Sequence, residues 1–188
     1  MLAPLAGRPL VVHALERLLA ARDAGVVATV TAVVPDLTTP VATLLAGPGV
    51  VIVAAPDAAL GLAHSLRAGL AAIAALADGP AAALVALGDQ PSTSVAVIER
   101  LVQRWRATGA PAVRPRYADD PDAPGHPVLL DRAAWSLAAR LEGDRGLGAA
   151  LRELAGGVAL VDVAGANPDI DTRADLAAHH PPENDRCD

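Results

Sequence analysis

Apolar residues occur in runs of two lengths that alternate along most of the chain. The short runs, such as 26–34 and 50–54, are rich in Val and bounded by Gly or Pro, which predicts buried strands. The longer segments have apolar residues at helical spacing and predict helices. In the first of them, 9–22, Pro9 stands near the start, where its missing N–H costs little. Strands that alternate with helices predict βαβ units, and therefore an α/β fold with a three-layer, doubly wound, mostly parallel sheet.

The same pattern continues to the end of the chain and indicates one domain over 1–179, followed by a flexible polar tail over 180–188. Further strands are predicted at 81–87, 112–117, 128–130 and 158–163. Further helices are predicted at 40–46, 65–77, from 93 or 94 to 106, at 132–140, at 147–154, and after 171–172.

Composition excludes several classes of protein. The formal net charge of −6 argues against a nucleic-acid binder, whose surface would be basic. A single Cys excludes a disulfide framework and a metal site built from cysteines. The apolar runs are shorter than the about 20 residues that span a bilayer, and no secretory signal stands at the start. We therefore expect a soluble cytoplasmic protein without a membrane partner.

Acidic residues follow two of the predicted strands at the edge where ligands bind in such sheets. Asp89 lies in a Gly-Asp-Gln-Pro turn after strand 81–87, and Asp171 lies in an Asp-Ile-Asp-Thr segment near the end. Carboxylates at this edge can hold Mg²⁺ together with substrate phosphates and water. The alternative is structural: Asp89 forms a turn, and Asp171 with Thr172 caps the last helix. The shared location favours convergence on one metal.

Other polar residues also stand near this edge. Gly61 would allow close backbone approach to a ligand, and Ser65 offers a hydroxyl group, or is simply the N-cap of the helix. Arg67 is either a phosphate or base contact or a surface charge. The acidic loop 117–127, rich in Pro and Gly, either closes over a substrate or is an ordinary long loop. No GxSxG motif is present, which argues against a serine hydrolase.

Six strings, in the same order, resemble the MobA-like nucleotidyltransferases, and within them the molybdenum cofactor cytidylyltransferase branch. They are LAPLAGRPLVVHALERLLAA at 2–21, GLAHSLRAGLAAI at 61–73, LVALGDQPSTS at 84–94, GHPVLLDRAAW at 125–135, EGDRGLGAALRE at 142–153 and DIDTRADLA at 169–177. The GDQP, GHPVLL, GDRG and DIDT strings together are the most specific to that branch.

The resemblance implies transfer of a nucleotidyl group from an NTP, with CTP favoured, to a phosphorylated acceptor such as molybdopterin, with release of pyrophosphate. It makes Asp89 and Asp171 the catalytic Mg²⁺ ligands. It places Gly61, Ser65 and Arg67 around the nucleotide, and Gly125, His126 and Pro127 with Gly143, Asp144 and Gly146 on the acceptor side. Two alternatives remain: an enzyme similar to methylerythritol phosphate cytidylyltransferase, and a non-catalytic domain that binds a nucleotide or cofactor.

The chain departs from the family's pattern at its start. The family opens with a strand and a glycine-rich loop that ends in Arg and Lys and cradles the triphosphate. Here the first residues match the family's segment directly after that loop, and the sequence contains no Lys. In the doubly wound order 3-2-1-4, the absent strand lies between strands 26–34 and 81–87 and leaves both with unpaired edges. We therefore expect that Met1 is an internal residue of a longer natural product, and that this chain alone is impaired in activity.

Overall fold

The predicted α/β architecture is confirmed by a computed structural model that describes residues 1–77, 79–123, 125–141, 147–154 and 156–179. The strands are β1 (Pro4–Leu5), β2 (Arg8–Pro9), β3 (Val30–Val34), β4 (Val50–Ala54), β5 (Ala82–Val85), β6 (Ala112–Tyr117), β7 (Val128–Asp131) and β8 (Val158–Val163). The helices are α1 (Leu10–Asp23), α2 (Pro40–Leu45), α3 (Leu62–Ala74), α4 (Val95–Thr108), α5 (Leu147–Arg152) and α6 (Arg173–Ala178), with 3₁₀ segments at Pro56–Leu60 and Arg132–Arg140. No helix in these described parts is long and apolar enough to cross a membrane.

The central sheet has four strands in the order β5-β7-β6-β8. Strand β7 runs antiparallel to both of its neighbours, and β6 runs parallel to β8, so β5, β6 and β8 point the same way. Strands β3 and β4 form a separate parallel pair, in register from Val30 opposite Val50 to Val34 opposite Ala54. Over the described residues no backbone pairing joins β3 to β5.

Helices cover both faces of the four-stranded sheet because side chains alternate between its faces. Leu129 of β7 packs with Leu101 of α4 on one face. Val128 and Leu130 of β7 pack with Leu147 of α5 on the other face. This coverage explains the near-continuous apolar sequence of the strands.

Some element boundaries differ from those expected. Helix α3 begins at Leu62, so its N-cap is Gly61 and Ser65 lies inside the helix instead of capping it. The 3₁₀ segment Pro56–Leu60 ends at Gly61, whose φ of +127° is open to glycine but not to most residues, and the helix starts directly afterwards. Ser94 does cap α4, since its hydroxyl accepts a hydrogen bond from the Val97 N–H at 3.2 Å.

Candidate active site

Two acidic segments that are distant in sequence meet beyond the carboxyl end of β5. The backbone oxygen of Asp89 accepts a hydrogen bond from the Ile170 N–H at 3.1 Å. The side-chain amide of Gln90 donates to Oδ1 of Asp169 at 2.7 Å, across a sequence separation of 79 residues. The structure therefore brings the segment that contains Asp171 alongside Asp89.

Apolar contacts hold the second acidic segment in place. Ile170 is only 7% exposed and packs with Leu5 and Leu10 at the β1-β2 hairpin. That hairpin is tied to α1, because Nε2 of His13 lies 2.8 Å from the Leu5 carbonyl oxygen. The aspartates on either side of Ile170 are thus placed by the burial of one side chain.

The cap of the last helix is made by Thr172 and not by Asp171. The Thr172 hydroxyl accepts from the Asp175 N–H at 3.1 Å, and the Asp175 carboxylate accepts from the Thr172 N–H at 2.8 Å, which is a capping box. Hydrogen bonds from the Thr172 hydroxyl and N–H lower the pKa of Asp175. Within the described residues, the exposed carboxylate of Asp171 accepts no hydrogen bond and is not consumed by the cap.

The Asp89 carboxylate is in an unfavourable position for a charge. Partial burial raises its pKa most, and repulsion by Asp169 and Asp171 raises it further. Its Oδ1 atom is buried and has no hydrogen-bond partner in the part of the chain that the structure describes. A buried acceptor without a partner costs about 1–3 kcal/mol, which a bound cation would offset.

The carboxylates at this site fit a divalent cation that also binds oxygen atoms from outside the protein. No group of three or more His, Cys, Asp or Glu side chains among the described residues is arranged to hold a metal. Asp89 and Asp171 would instead supply two carboxylates, with phosphate and water oxygens completing the shell. That sharing is typical of Mg²⁺, which is normally bound through one or two carboxylates and substrate phosphates.

Asn167 organises this region, and sequence analysis did not single it out. Its side-chain amide donates to Oε1 of Gln90 at 3.3 Å, to Oγ1 of Thr93 at 3.1 Å and to the carbonyl oxygen of His126 at 3.2 Å. Its Oδ1 accepts from the Ser92 N–H at 3.1 Å. The available signal was an Asn-Pro turn directly before the acidic segment.

The expected acceptor-side residues adjoin this network. A Cβ on Gly125 would lie 2.0 Å from the Pro115 carbonyl oxygen, so only glycine fits there. The peptide bond between His126 and Pro127 is cis, and the Tyr117 hydroxyl donates to the His126 carbonyl at 2.9 Å. Burial lowers the pKa of His126 and raises the pKa of Tyr117 to about 12. Nδ1 of His126 is buried without a partner in the described chain, and Pro127 is fully buried.

The expected nucleotide-side residues do not all line one cavity. Nη1 of Arg67 donates to the Leu141 carbonyl at 2.6 Å, which gives this cation a structural partner. Ser65 lines an apolar cavity of about 730 Å³ together with Gly125 and His126. Gly61, Arg67, Asp89 and Asp171 are not among the residues that line it. Asp144, with Gly143 and Gly146, lies outside the described residues.

Several solved structures share this fold. Rv0371c of Mycobacterium tuberculosis H37Rv, solved in complex with manganese, is 27% identical with a TM-score of 0.72, over 94% of this chain and 89% of that one. A Rv0371c homologue from Mycobacterium sp. strain JC1 is 25% identical with a TM-score of 0.78, over 94% and 86%. Molybdopterin-guanine dinucleotide biosynthesis protein A of Archaeoglobus fulgidus, at 17% identity and a TM-score of 0.64 over 94% and 86%, shares the fold.

Comparison with curated protein sequences gives no match. The model of the MobA-like NTP transferase domain matches residues 1–158, most of the chain. This match agrees with the resemblance carried by the GDQP and GHPVLL strings and with the doubly wound fold. The chain belongs to the MobA-like NTP transferase domain family and is a nucleotidyltransferase.

Proposed function

We propose that the protein transfers a nucleotidyl group from an NTP, with CTP favoured, to a phosphate of a small acceptor such as molybdopterin, with Mg²⁺ as the metal. The main support is that Asp89 lies beside the Asp169–Asp171 segment. In addition, Oδ1 of the Asp89 carboxylate is buried and has no hydrogen-bond partner among the described residues. The manganese complex of the similar Rv0371c supports a divalent cation in this family. The preference for CTP and molybdopterin rests on the GDQP, GHPVLL and DIDT strings.

In this proposal the reaction is an in-line displacement at the α-phosphorus. An oxygen of the acceptor phosphate forms the new P–O bond, the bond between the α-phosphorus and the bridging oxygen breaks, and its electron pair leaves with pyrophosphate. A divalent cation supplies charge neutralisation for the phosphates when bound. Asp89 and Asp171 would hold it, while the Asn167 and Gln90 side chains keep the two acidic segments together.

No general base is needed for such a step. An acceptor phosphate is already ionised near neutral pH, so its oxygen attacks without losing a proton. His126 fits a positioning role better than a proton-transfer role, because burial lowers its pKa and favours the neutral ring. Its carbonyl oxygen is fixed by Tyr117 and Asn167, which locates the Gly125–Pro127 turn next to the site.

Two substitutions test the metal assignment. Asp89→Asn removes a charged ligand with little change of shape, and Asp57→Asn removes an exposed carboxylate of the 3₁₀ segment as the matched control. We expect Asp89→Asn to weaken Mn²⁺ binding, measured by electron paramagnetic resonance, and to lower Mg²⁺-dependent turnover by about a hundredfold or more. The control should retain both. Equal Mn²⁺ binding by the two variants would refute the assignment even if the 188-residue chain turns over slowly.

The substrate is tested separately. Pyrophosphate release is measured with CTP and GTP against molybdopterin and methylerythritol phosphate, for this chain and for a version extended upstream of Met1. The proposal expects release with CTP and molybdopterin. Release with methylerythritol phosphate alone would identify the related cytidylyltransferase activity. Nucleotide binding without release in either version would indicate a non-catalytic domain.

A further inference from the structure

Arg114 lies in the middle of β6, with its side chain on the face of the sheet that α5 covers. Side chains alternate between the two faces along a strand. Val113 packs with Leu101 of α4 on one face. Ala112 packs with Leu147 of α5 on the other face. Arg114 shares the face of Ala112 and is half-buried there, so the strand directs a cation into mostly apolar surroundings.

The Arg114 guanidinium has no protein partner in the part of the chain that the structure describes. Arg116, on the same strand, forms a salt bridge with Asp162. Arg67 donates to the Leu141 carbonyl oxygen at 2.6 Å. Arg114, by contrast, donates no hydrogen bond and forms no ion pair with any described residue. Because a charge that is removed from water without a partner is costly, this half-buried cation favours an anionic ligand.

Arg114 lines the same apolar cavity of about 730 Å³ as Ser65. On the side of β6 and β7 the lining contains Arg114, His126 and Val128. In the lining that the structure describes, Arg114 carries the only charged side chain, and no Asp or Glu contributes. Low-dielectric walls with one sign of charge focus the electric field. This side of the cavity therefore attracts an anion.

His126 lies near both Arg114 and the candidate metal site. Burial is the largest cause of the lowered pKa of its ring, and the charge of Arg114 lowers that pKa further, whereas Asp169 and Asp89 raise it. The ring is therefore close to the guanidinium and to both carboxylates. Its Nδ1 atom is buried without a hydrogen-bond partner among the described residues. An anion held by Arg114 would thus lie near a cation held by Asp89.

The cavity lining fits a ligand with one anionic group on an uncharged body. One guanidinium matches one phosphate, because its N–H groups donate to two oxygens in a bidentate contact. A nucleoside triphosphate carries several negative charges, and a single arginine in an aliphatic lining would leave most of them unpaired. A phosphate monoester has a third terminal oxygen, which a bidentate contact leaves free. These features favour an acceptor phosphate over a triphosphate as the ligand of Arg114.

We propose that Arg114 binds the phosphate group of the acceptor in a bidentate contact and presents the third oxygen of that phosphate to the α-phosphorus near Asp89. This role in the reaction rests on the proposed function, in which an acceptor phosphate attacks an NTP. Arg114 thereby selects a phosphorylated acceptor over the same molecule with a free hydroxyl group. The binding of a phosphate monoester needs neither a nucleotide nor a metal, so it can be measured by itself.

Three variants test the role of Arg114 in pyrophosphate release. Arg114→Gln removes the charge, Arg114→Lys keeps the charge and loses the bidentate geometry, and Arg104→Gln changes an exposed arginine of α4 as the matched control. We expect Arg114→Gln to raise the KM for the acceptor roughly tenfold to a hundredfold and the KM for CTP less than about twofold. Arg114→Lys should fall between Arg114→Gln and the unchanged chain, which Arg104→Gln should match. A larger rise in the KM for CTP than for the acceptor would overturn the proposal.

Phenyl phosphate is the probe for binding without turnover, because it joins one phosphate monoester to an uncharged apolar ring. It is titrated into the unchanged protein without metal or nucleotide, while NMR records the signals of the arginine Nε–H groups. The signal that is lost in Arg114→Lys belongs to Arg114, and the signal that is lost in Arg104→Gln belongs to Arg104. We expect phenyl phosphate to shift the Arg114 signal to saturation and to leave the Arg104 signal in place. Phenol, the uncharged control, should shift neither signal.

The two measurements separate a failure of this proposal from a failure of the proposed function. Without a saturable shift of the Arg114 signal the phosphate site is refuted, even if the protein releases pyrophosphate normally. Inorganic triphosphate that shifts the signal at a lower concentration than phenyl phosphate would refute the assignment to the acceptor. A saturable shift with phenyl phosphate, combined with no pyrophosphate release from any NTP, would refute the proposed function and support the phosphate site. The titration uses the unchanged chain, so it remains decisive if Arg114→Gln does not fold.

Discussion

Replacing Asn167 by Ala removes the side chain that links the two halves of the candidate site. Asn167 is 8% exposed, and its amide contacts Gln90, Thr93 and the His126 carbonyl while its oxygen accepts from the Ser92 N–H. The His126 carbonyl retains the Tyr117 hydroxyl, so it is not left without a donor. The Ser92 N–H and the buried Gln90 oxygen lose the partner observed here.

The free-energy loss can be worked out from those contacts. A neutral hydrogen bond contributes about 0.5–1.5 kcal/mol, and a buried group left without a partner costs about 1–3 kcal/mol, so Asn167→Ala should lower the free energy of unfolding by about 2–4 kcal/mol. Thr93→Val removes one acceptor and keeps the rest of the network, so it should cost about 1 kcal/mol.

Urea unfolding followed by circular dichroism measures the loss of unfolding free energy in both variants. Mn²⁺ binding should also weaken in Asn167→Ala, because Gln90 no longer holds Asp169 firmly. If Asn167→Ala loses less unfolding free energy than Thr93→Val and binds Mn²⁺ normally, the view that Asn167 joins the two segments is refuted.

Three further results are expected. Gly125→Ala should destabilise the fold by about 1–3 kcal/mol in thermal unfolding, since its Cβ meets the Pro115 carbonyl oxygen, whereas Gly148→Ala in α5 should be neutral or stabilising. Ile170→Ala should cost about 2–5 kcal/mol in urea and weaken Mn²⁺ binding; a normal Mn²⁺ affinity would contradict its positioning role. Because the pKa of Asp89 is raised, its contribution to metal-free stability is present below the ordinary carboxyl pKa and is lost as pH rises through the raised value. Asp89→Asn should remove that pH dependence from urea midpoints.

Elements with strong local patterns were predicted closely. The strands at 112–117 and 158–163 have the observed bounds. The second is the Val-rich run VALVDV, and glycines at 156, 157 and 165 mark its two ends. The start of α3 was missed, since it depends on the backbone angle of Gly61, which a capping preference for Ser65 does not reveal. The 3₁₀ form of Arg132–Arg140 was also not predicted, because its apolar spacing is equally compatible with an α-helix.

The same distinction between local pattern and distant contacts applies to the candidate site. The meeting of Asp89 with the segment that contains Asp171 was predictable from sequence, because both were expected at the same edge of the sheet. The contacts of Arg67 and Asn167 were not predictable, because their partners come from distant segments: Leu141 lies 74 positions from Arg67, and Gln90 lies 77 positions from Asn167. Only the folded chain decides whether such a polar group binds a ligand or another part of the protein.

The energetics of the site explain why uncharged contacts surround it. Asp89 stands near Asp169 and Asp171, and both the repulsion and the burial disfavour its charged form when no cation is present. Charge interactions therefore cannot hold the two acidic segments together. The attraction comes instead from Ile170 in its apolar cluster, from the Ile170 N–H on the Asp89 carbonyl, and from the Gln90 amide on Asp169. A cation bound between the carboxylates would then add its free energy to a geometry that is already formed.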